Sequence, residues 1–169
     1  MDRSKGLIVV LVLIAVLVFP TGCGSKSVKT GPEVGQKAPE ISGKDMEGEQ
    51  FSLNKLQGKP TVIVFWQTIS VPSQRQLKQV EKLSSELKDK INVCTVNLGE
   101  ESKVVDTYIN NNGMDLPVLI DSPKQTWANL YRIDIMPTLL IIDKEGIVSV
   151  ANKGGLSYED LKSTLEKLM

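Results

Sequence analysis

Apolar runs alternate with amphipathic stretches along the chain, and the apolar runs predict strands. Residues 61–66 form a continuous apolar, β-branched run directly after the breaker at 58–60, as in a strand buried on both faces of a sheet. Residues 138–142 predict a second such strand, which the turn at 143–146 joins to a hairpin partner at 147–150. A further strand is predicted at 91–98 and a short one at 117–120.

The stretches between these runs have apolar residues at helical spacing. In residues 74–88 the apolar positions step by three and four, which predicts one apolar stripe on a charged helix. A shorter helix is predicted at 103–112. Another is predicted to open at Ser122 and Pro123 and to run through Tyr131, with Pro123 at the favoured first helical position.

The chain ends in one more predicted helix. Ser157 and Asp160 have the spacing of a capping box, in which the side chain of each residue accepts a hydrogen bond from the backbone N–H of the other at the start of a helix. Strands and helices that alternate, followed by a hairpin and a helix, predict an α/β fold with a mixed sheet.

Residues 1–22 have the pattern of an export signal. Arg3 and Lys5 precede an unbroken apolar run at 7–19. This run is shorter than the about 20 residues that span a bilayer. The sequence therefore favours a cleaved signal over a permanent membrane anchor.

Cys23 follows this run, and the segment resembles a bacterial lipoprotein signal, in which that cysteine receives lipid and becomes the mature N-terminus. Pro20 stands where that motif prefers leucine. This interpretation gives a tether at 23–35 and one domain at 36–169, held outside the cell on the outer face of the cytoplasmic membrane. The alternative is an ordinary secretory signal, with Cys23 discarded or left as a free thiol.

The charged and metal-binding residue types exclude several functions. Lys plus Arg and Asp plus Glu each total 20, so the chain has no basic surplus for nucleic-acid phosphates. It contains no histidine, which removes Ser-His-Asp and Cys-His nucleophiles and every His-ligated zinc. Without histidine or a cysteine pair in the domain, we expect neither a metal site nor a cofactor.

Cys94 is the only free thiol left after lipid is attached to Cys23, so the domain can form no internal disulfide. It lies in a predicted strand, and we expect it to pack in the core as a small apolar residue. The alternative, a one-thiol redox role, needs an exposed electropositive setting. Glu100 and Glu101 nearby would instead raise the pKa of a thiol.

Several short motifs follow one another in a characteristic order. They are Gly-Gln-Lys-Ala-Pro at 35–39, Gly-Lys-Pro at 58–60, Phe65-Trp66, Pro72, and Ile-Met-Pro-Thr at 135–138 running into Leu-Leu-Ile-Ile-Asp-Lys-Glu-Gly at 139–146. In these motifs the chain resembles the thioredoxin superfamily, most closely its membrane-tethered TlpA/ResA-type thiol-disulfide oxidoreductases. The resemblance implies a thioredoxin-like fold, with a central mixed sheet flanked by helices.

The resemblance places the family's Cys-x-x-Cys positions on Ser70 and Ser73. Such enzymes hold the first thiol at a helix N-terminus, where backbone N–H groups and the helix dipole stabilise the thiolate. A serine hydroxyl is scarcely ionised at neutral pH and forms no disulfide, so no catalytic pair is intact. We expect Ser70 to be an N-cap and Ser73 a polar residue of the first helical turn.

The resemblance also implies a substrate groove. In this family Pro137 follows a cis peptide bond, and the backbone of Met136 pairs with an extended peptide. Trp66 is expected to line the same groove. The alternative for Pro137 is a trans proline at the entrance to a strand.

Two functional hypotheses follow from these residues. In the first, an extracytoplasmic lipoprotein of thiol-disulfide oxidoreductase ancestry has lost its redox pair and binds a protein or an extended peptide. In the second, the protein is an active TlpA/ResA-type reductase whose cysteine pair has been changed to serine in this chain. No residue argues for a small-ligand carrier on the same fold.

Overall fold

The structure, a computed structural model, describes residues 28–169. The predicted export signal and the predicted lipid site, Cys23, lie outside the described residues. Between residues 28 and 169, no helix is long and apolar enough to cross a membrane.

The strands of the described region form two sheets. They are β1 (Ser42–Lys44), β2 (Gln50–Ser52), β3 (Thr61–Trp66), β4 (Asn92–Asn97), β5 (Val118–Ile120), β6 (Thr138–Ile142) and β7 (Val148–Lys153). The main sheet has the order β5-β4-β3-β6-β7, and β1 pairs with β2 in a separate antiparallel hairpin. In the main sheet β3, β4 and β5 are parallel, whereas β6 and β7 are antiparallel to their neighbours. The predicted mixed sheet is confirmed, with β3 at its centre.

Of the four α-helices of the described region, the first and the last begin at a serine side chain that caps them. The four helices are α1 (Val71–Leu87), α2 (Ser102–Asn112), α3 (Thr126–Leu130) and α4 (Tyr158–Leu168), with short 3₁₀ turns at Leu53–Leu56 and Lys88–Lys90. Helix α1 begins earlier than predicted, because Ser70 caps it and Pro72 fits its first turn. The predicted N-cap of α4 is confirmed, since the Asp160 N–H donates to Ser157 Oγ at 3.1 Å. The Asp160 carboxylate accepts a hydrogen bond from the Ser157 hydroxyl at 2.7 Å, so only the N-cap half of the predicted capping box forms.

Helix α3 corrects one prediction. The helix expected to open at Pro123 begins only at Thr126, after Gln125 in a left-handed conformation with φ of 51°. The carboxylate of buried Asp121 explains this start, since it accepts hydrogen bonds from the backbone N–H groups of Trp127 and Ala128 at 3.1 and 2.8 Å. An acidic side chain from the preceding strand end therefore begins this helix, and the proline lies in the turn before it.

The core consists of one layer on each face of the main sheet. Every residue of β3 and β6 is buried, and the side chains of β3 alternate between the two layers. Val62, Val64 and Trp66 pack with α1 and α4, whereas Ile63 and Phe65 pack in the opposite layer. The start of α1 consequently lies at the carboxyl end of the central strand.

The chain approaches the sheet along the outer edge of β7. The Lys37 N–H donates to the Lys29 carbonyl at 3.0 Å, and the Gly35 N–H donates to the Val148 carbonyl at 2.9 Å. Part of the segment expected to be a tether thus lies against the domain. The limits of the tether and of the domain stay predictions.

Candidate functional site

The junction between β3 and α1 is built around Ser70. Its backbone is extended, with φ of −86° and ψ of 105°, and its Oγ accepts a hydrogen bond from the Ser73 N–H at 3.3 Å. The Gln74 N–H donates to the Ser70 carbonyl at 3.0 Å. Ser70 is therefore an N-cap as predicted, and its hydroxyl oxygen is committed to the helix.

Glu100 holds the loop that leads into Ser70. Its two carboxylate oxygens accept hydrogen bonds from the Thr68 N–H at 2.7 Å and the Thr68 hydroxyl at 2.6 Å. The Asn97 side-chain amide donates to the same carboxylate at 2.6 Å. Hydrogen bonds to an ionised acceptor are among the stronger ones in proteins, so the loop is fixed to the end of β4.

The sequence interpretation missed this role of Glu100. It considered Glu100 only for its effect on a thiol pKa, and took no account of the neighbouring loop. A usable signal exists nonetheless, because Glu100 lies three residues after the end of β4, and β4 is the parallel neighbour of β3. The carboxyl ends of parallel strands lie at the same edge of a sheet, which is where sites form in α/β folds.

Ser73 lies in the first turn of α1, as predicted, and is fully buried. Its Oγ has no hydrogen-bond partner among the described residues. An unsatisfied buried hydroxyl costs about 1–3 kcal/mol, whereas a thiol is a weak donor that buries readily without a partner. The surroundings of Ser73 thus suit a cysteine better than a serine.

The loop before β6 forms the other side of the site. The Met136–Pro137 peptide bond is cis, as the resemblance implied. The Thr138 hydroxyl donates to the Ile135 carbonyl at 2.6 Å, and the Gly154 N–H donates to the Pro137 carbonyl at 2.8 Å. The backbone N–H and carbonyl of Met136 have no hydrogen-bond partner within residues 28–169.

Helix α1 and the cis-proline loop approach each other closely at Gly155. A Cβ at Gly155 would lie 2.7 Å from Gln76 Oε1 and 3.9 Å from Pro137 Cγ. Buried Gln76 accepts a hydrogen bond from the Leu156 N–H at 2.8 Å. Only a residue without a side chain leaves room for Gln76 here, and the close approach places the second turn of α1 beside the cis-proline loop.

Three apolar side chains are exposed at this end of the sheet. Ile69 is 81% exposed, Val71 is 52% exposed and Ile135 is 51% exposed. Ile69 and Val71 flank Ser70, and Ile135 precedes Met136. Because β3 ends and β6 begins at the same edge of the sheet, we name these three residues the apolar rim.

Trp66 corrects one site assignment. It was expected to line the groove, but its side chain is fully buried and its ring lies 5.4 Å from that of Tyr108. The reason is its place as the last residue of β3, where its side chain points into the layer beneath α1. Trp66 supports the site from below and has no surface open to a ligand.

Cys94 is a core residue, as predicted. It is fully buried, and burial raises the pKa of its thiol far above the ordinary value. It pairs in register with Ile63 and packs in the layer opposite Trp66 and α1. The sheet therefore separates Cys94 from both serines.

No metal cluster is present in the part of the chain that the structure describes, where no three His, Cys, Asp or Glu side chains come together.

The sheet order, the helix that starts after the central strand and the cis-proline loop define a thioredoxin-like protein. Solved structures of this class are similar to the chain. StoA from Bacillus subtilis is 26% identical with a TM-score of 0.65, covering 74% of this chain and 95% of that one. A DsbF homologue from Corynebacterium diphtheriae has a TM-score of 0.71 at 21% identity, covering 79% and 87%, which shows the shared fold.

The chain belongs to the AhpC/TSA family, whose sequence profile matches residues 34–151. Within the thioredoxin superfamily it is of the TlpA/ResA type. It is 30% identical over 162 residues to the thiol-disulfide oxidoreductase ResA of Geobacillus thermodenitrificans, covering 95% of this chain and 92% of that protein. It is also 30% identical to the thioredoxin-like protein YneN of Bacillus subtilis, covering 92% and 94%.

Proposed function

We propose that this protein is a redox-degenerate member of its thiol-disulfide oxidoreductase family that binds an extended segment of a partner protein at the cis-proline loop. It works outside the cell, held by lipid on Cys23 at the outer face of the cytoplasmic membrane. The observation that carries the proposal is the pair Ser70 and Ser73 at the start of α1.

Thiol-disulfide exchange needs a thiolate that attacks one sulfur and a second thiol that resolves the mixed disulfide. Ser70 and Ser73 supply oxygen at both places. The buried Cys94, in the opposite core layer, can do neither. The domain therefore has the fold of these enzymes but lacks the two thiols that the reaction oxidises and reduces.

Binding needs no thiol. The free N–H and carbonyl of Met136 can pair with an extended chain in the manner of an added strand. Ile135 and Ile69 offer exposed apolar surface to the side chains of that segment. Backbone pairing supplies the affinity and the apolar rim supplies a preference for hydrophobic side chains.

Reduction of insulin by dithiothreitol tests the redox half of the proposal. We expect the full chain to be inactive and Ser70→Cys/Ser73→Cys to be active. The matched control, Ser102→Cys/Ser163→Cys, adds two exposed cysteines elsewhere and is expected to stay inactive. Activity of the unmodified chain would overturn the proposal, as would activity of the control equal to that of the restored pair.

Calorimetry with reduced, carboxymethylated insulin B chain, an extended polypeptide that cannot form disulfides, tests the binding half. Ile135→Asp is expected to weaken binding about tenfold, because it removes the burial of one apolar side chain. Val104→Asp changes a similarly exposed residue on α2 and is expected to have no effect. No binding by the full chain, or equal loss in both variants, contradicts a site at the cis-proline loop.

The second candidate is an active TlpA/ResA-type reductase whose cysteine pair was changed to serine in this chain. The buried, unpartnered hydroxyl of Ser73 favours it equally, since that position suits a thiol. Sequencing the source gene separates the two. Serine codons at 70 and 73 support the degenerate protein, and cysteine codons establish the reductase.

A further inference from the structure

The end of the main sheet opposite Ser70 gathers lysines from distant segments. The Gly58 N–H donates to the Lys144 carbonyl at 2.9 Å, and the Asn92 N–H donates to the Pro60 carbonyl at 2.8 Å. Lys37 forms an isolated antiparallel β-bridge with Ile147. These contacts bring together the chain before β3, the start of β4, the β6–β7 turn and the N-terminal segment. The exposed lysines of this basic end are Lys29, Lys37, Lys55, Lys59, Lys88, Lys90, Lys144 and Lys167.

Few carboxylates neutralise this end. They are Glu40, which accepts the Asn54 N–H beside Lys55, together with Asp89, Asp143, Glu145 and Glu166. Asp143 is occupied in its own turn, where its Oδ1 accepts the N–H groups of Glu145 and Ile147 at 3.0 and 2.8 Å. The ion pairs of the described region all involve other cations, namely Lys82, Arg132, Lys153 and Lys162. The whole chain has no net charge, so the lysine surplus here is balanced by a carboxylate surplus elsewhere.

The chain reaches the domain at this same end. The described region begins at Val28. The carbonyl of the next residue, Lys29, accepts a hydrogen bond from the Lys37 N–H. Cys23 lies five positions before Val28, so the two residues are at most about 18 Å apart. Phe19, the last residue of the apolar run, is at most about 32 Å from Val28. A membrane attachment at either place holds the basic end close to the lipid headgroups.

We propose that the basic end is a surface that contacts anionic phospholipid headgroups and thereby orients the protein on its membrane. Lysines within a Debye length of such a surface, about 8–10 Å at physiological salt, are attracted to it. Lys90 and Lys144 line a shallow hollow together with Met169, whose exposed side chain adds an apolar contact. The apolar rim, at the other end of β3, then faces away from the membrane.

Energy transfer from a fluorescent label to acceptor lipids tests this orientation. The full chain is reconstituted into vesicles of phosphatidylcholine with or without phosphatidylglycerol. The label is placed at the basic end through Gln57→Cys, or at the apolar rim through Ile69→Cys. The unsubstituted chain is the labelling blank, because its Cys23 carries lipid in the proposed function and its Cys94 is buried. We expect higher transfer from position 57 than from position 69 on vesicles that contain phosphatidylglycerol.

This difference is expected to disappear on vesicles without phosphatidylglycerol. It should also disappear at a salt concentration that shortens the Debye length to about 3 Å. The variant Lys59→Glu/Lys90→Glu/Lys144→Glu is expected to lose it as well. The matched control, Lys78→Glu/Lys103→Glu/Lys124→Glu, reverses three exposed lysines away from the basic end and is expected to keep it.

The proposal rests on the membrane attachment of the proposed function, and vesicle flotation separates the two. Equal transfer from both positions on floated vesicles, or a difference that persists without phosphatidylglycerol, overturns the orienting surface alone. A chain that floats with neither vesicle overturns the attachment as well. Neither outcome bears on the serine pair.

Discussion

Ser70 and Ser73 lie one turn apart, and their hydroxyls have opposite relations to α1. The hydroxyl of Ser70 satisfies the Ser73 N–H, one of the backbone groups that a helix start leaves free. The hydroxyl of Ser73 is buried without a partner. The same residue type is therefore stabilising at one position and costly at the other.

Alanine substitutions are expected to separate these effects. Ser70→Ala loses the cap and should lower the free energy of unfolding by about 1 kcal/mol. Ser73→Ala removes the unsatisfied hydroxyl and should raise it by about 1 kcal/mol. Urea unfolding measures both, with Ser85→Ala on the exposed face of α1 as the reference. Destabilisation by Ser73→Ala would show that its hydroxyl is satisfied.

Residue patterns identified some of these features and could not identify others. The cap at Ser70 and the buried Cys94 follow from local preference and from an apolar strand, so the sequence predicts them. The burial of Ser73 depends on how α1 lies on the sheet. The bonds from Thr68 to Glu100 join residues 32 positions apart, which no local pattern describes.

At the scale of elements, side chains at loop ends join pieces that are distant in sequence. Asp121 starts α3 from the end of β5, and Glu100 joins the end of β4 to the loop before α1. Strand and helix periodicity predicts the elements on either side but not these connections. For this reason the order of the main-sheet strands and of the helices was predicted correctly, whereas the β1–β2 hairpin was not predicted and the predicted start of α3 was wrong.

Glu100→Gln is expected to weaken the loop before Ser70. The substitution removes the charge from an acceptor of several hydrogen bonds and leaves one oxygen for them, which should cost about 1–2 kcal/mol of unfolding free energy. Glu101→Gln changes the exposed neighbour and is the control. Equal urea midpoints for the two variants would contradict the role given to Glu100.

A surface cluster joins α1 to α4 and makes stability depend on pH. Hydrogen bonds from Tyr158 and Lys162 hold the pKa of Glu86 below its ordinary value of 4.5. A lowered folded-state pKa adds stability above the unfolded-state pKa, and this stability is lost as the pH falls through the folded-state value.

Acid titration of urea midpoints tests this cluster. As the pH falls from neutral to below about 4.5, the unmodified chain should lose more stability than Glu86→Gln, which has no charge to lose. Glu159→Gln, at an exposed position on α4, should follow the unmodified chain. Parallel curves for the unmodified chain and Glu86→Gln would show that the cluster contributes nothing, as many exposed ion pairs do.

At the scale of the whole molecule, the two ends of the sheet differ in chemistry. One end has the serine pair, the cis-proline loop and the apolar rim, and the other has the exposed lysines beside Lys29. The fold class and this arrangement of ends follow from the order of strands. The clustering of lysines at one end of the sheet does not follow from the strand order, because it depends on turns that come together only when the sheet forms.

Membrane attachment belongs to this scale as well. Cys23→Ala is expected to abolish labelling of the protein with radioactive fatty acid and to move it from the membrane fraction into the soluble fraction. Cell fractionation with immunoblotting measures the second effect, and Ser25→Ala is the control. Unchanged labelling and fractionation in Cys23→Ala would contradict a lipid anchor at that residue.

The burial of Cys94 has a physiological consequence. No other thiol lies between residues 28 and 169, and this one is fully enclosed in the core, so oxidants and small reducing thiols find no exposed cysteine on the domain. Its shape and its affinity for a partner should consequently be the same under aeration and under oxygen limitation. A disulfide enzyme of this architecture alternates between two oxidation states, whereas this domain has one.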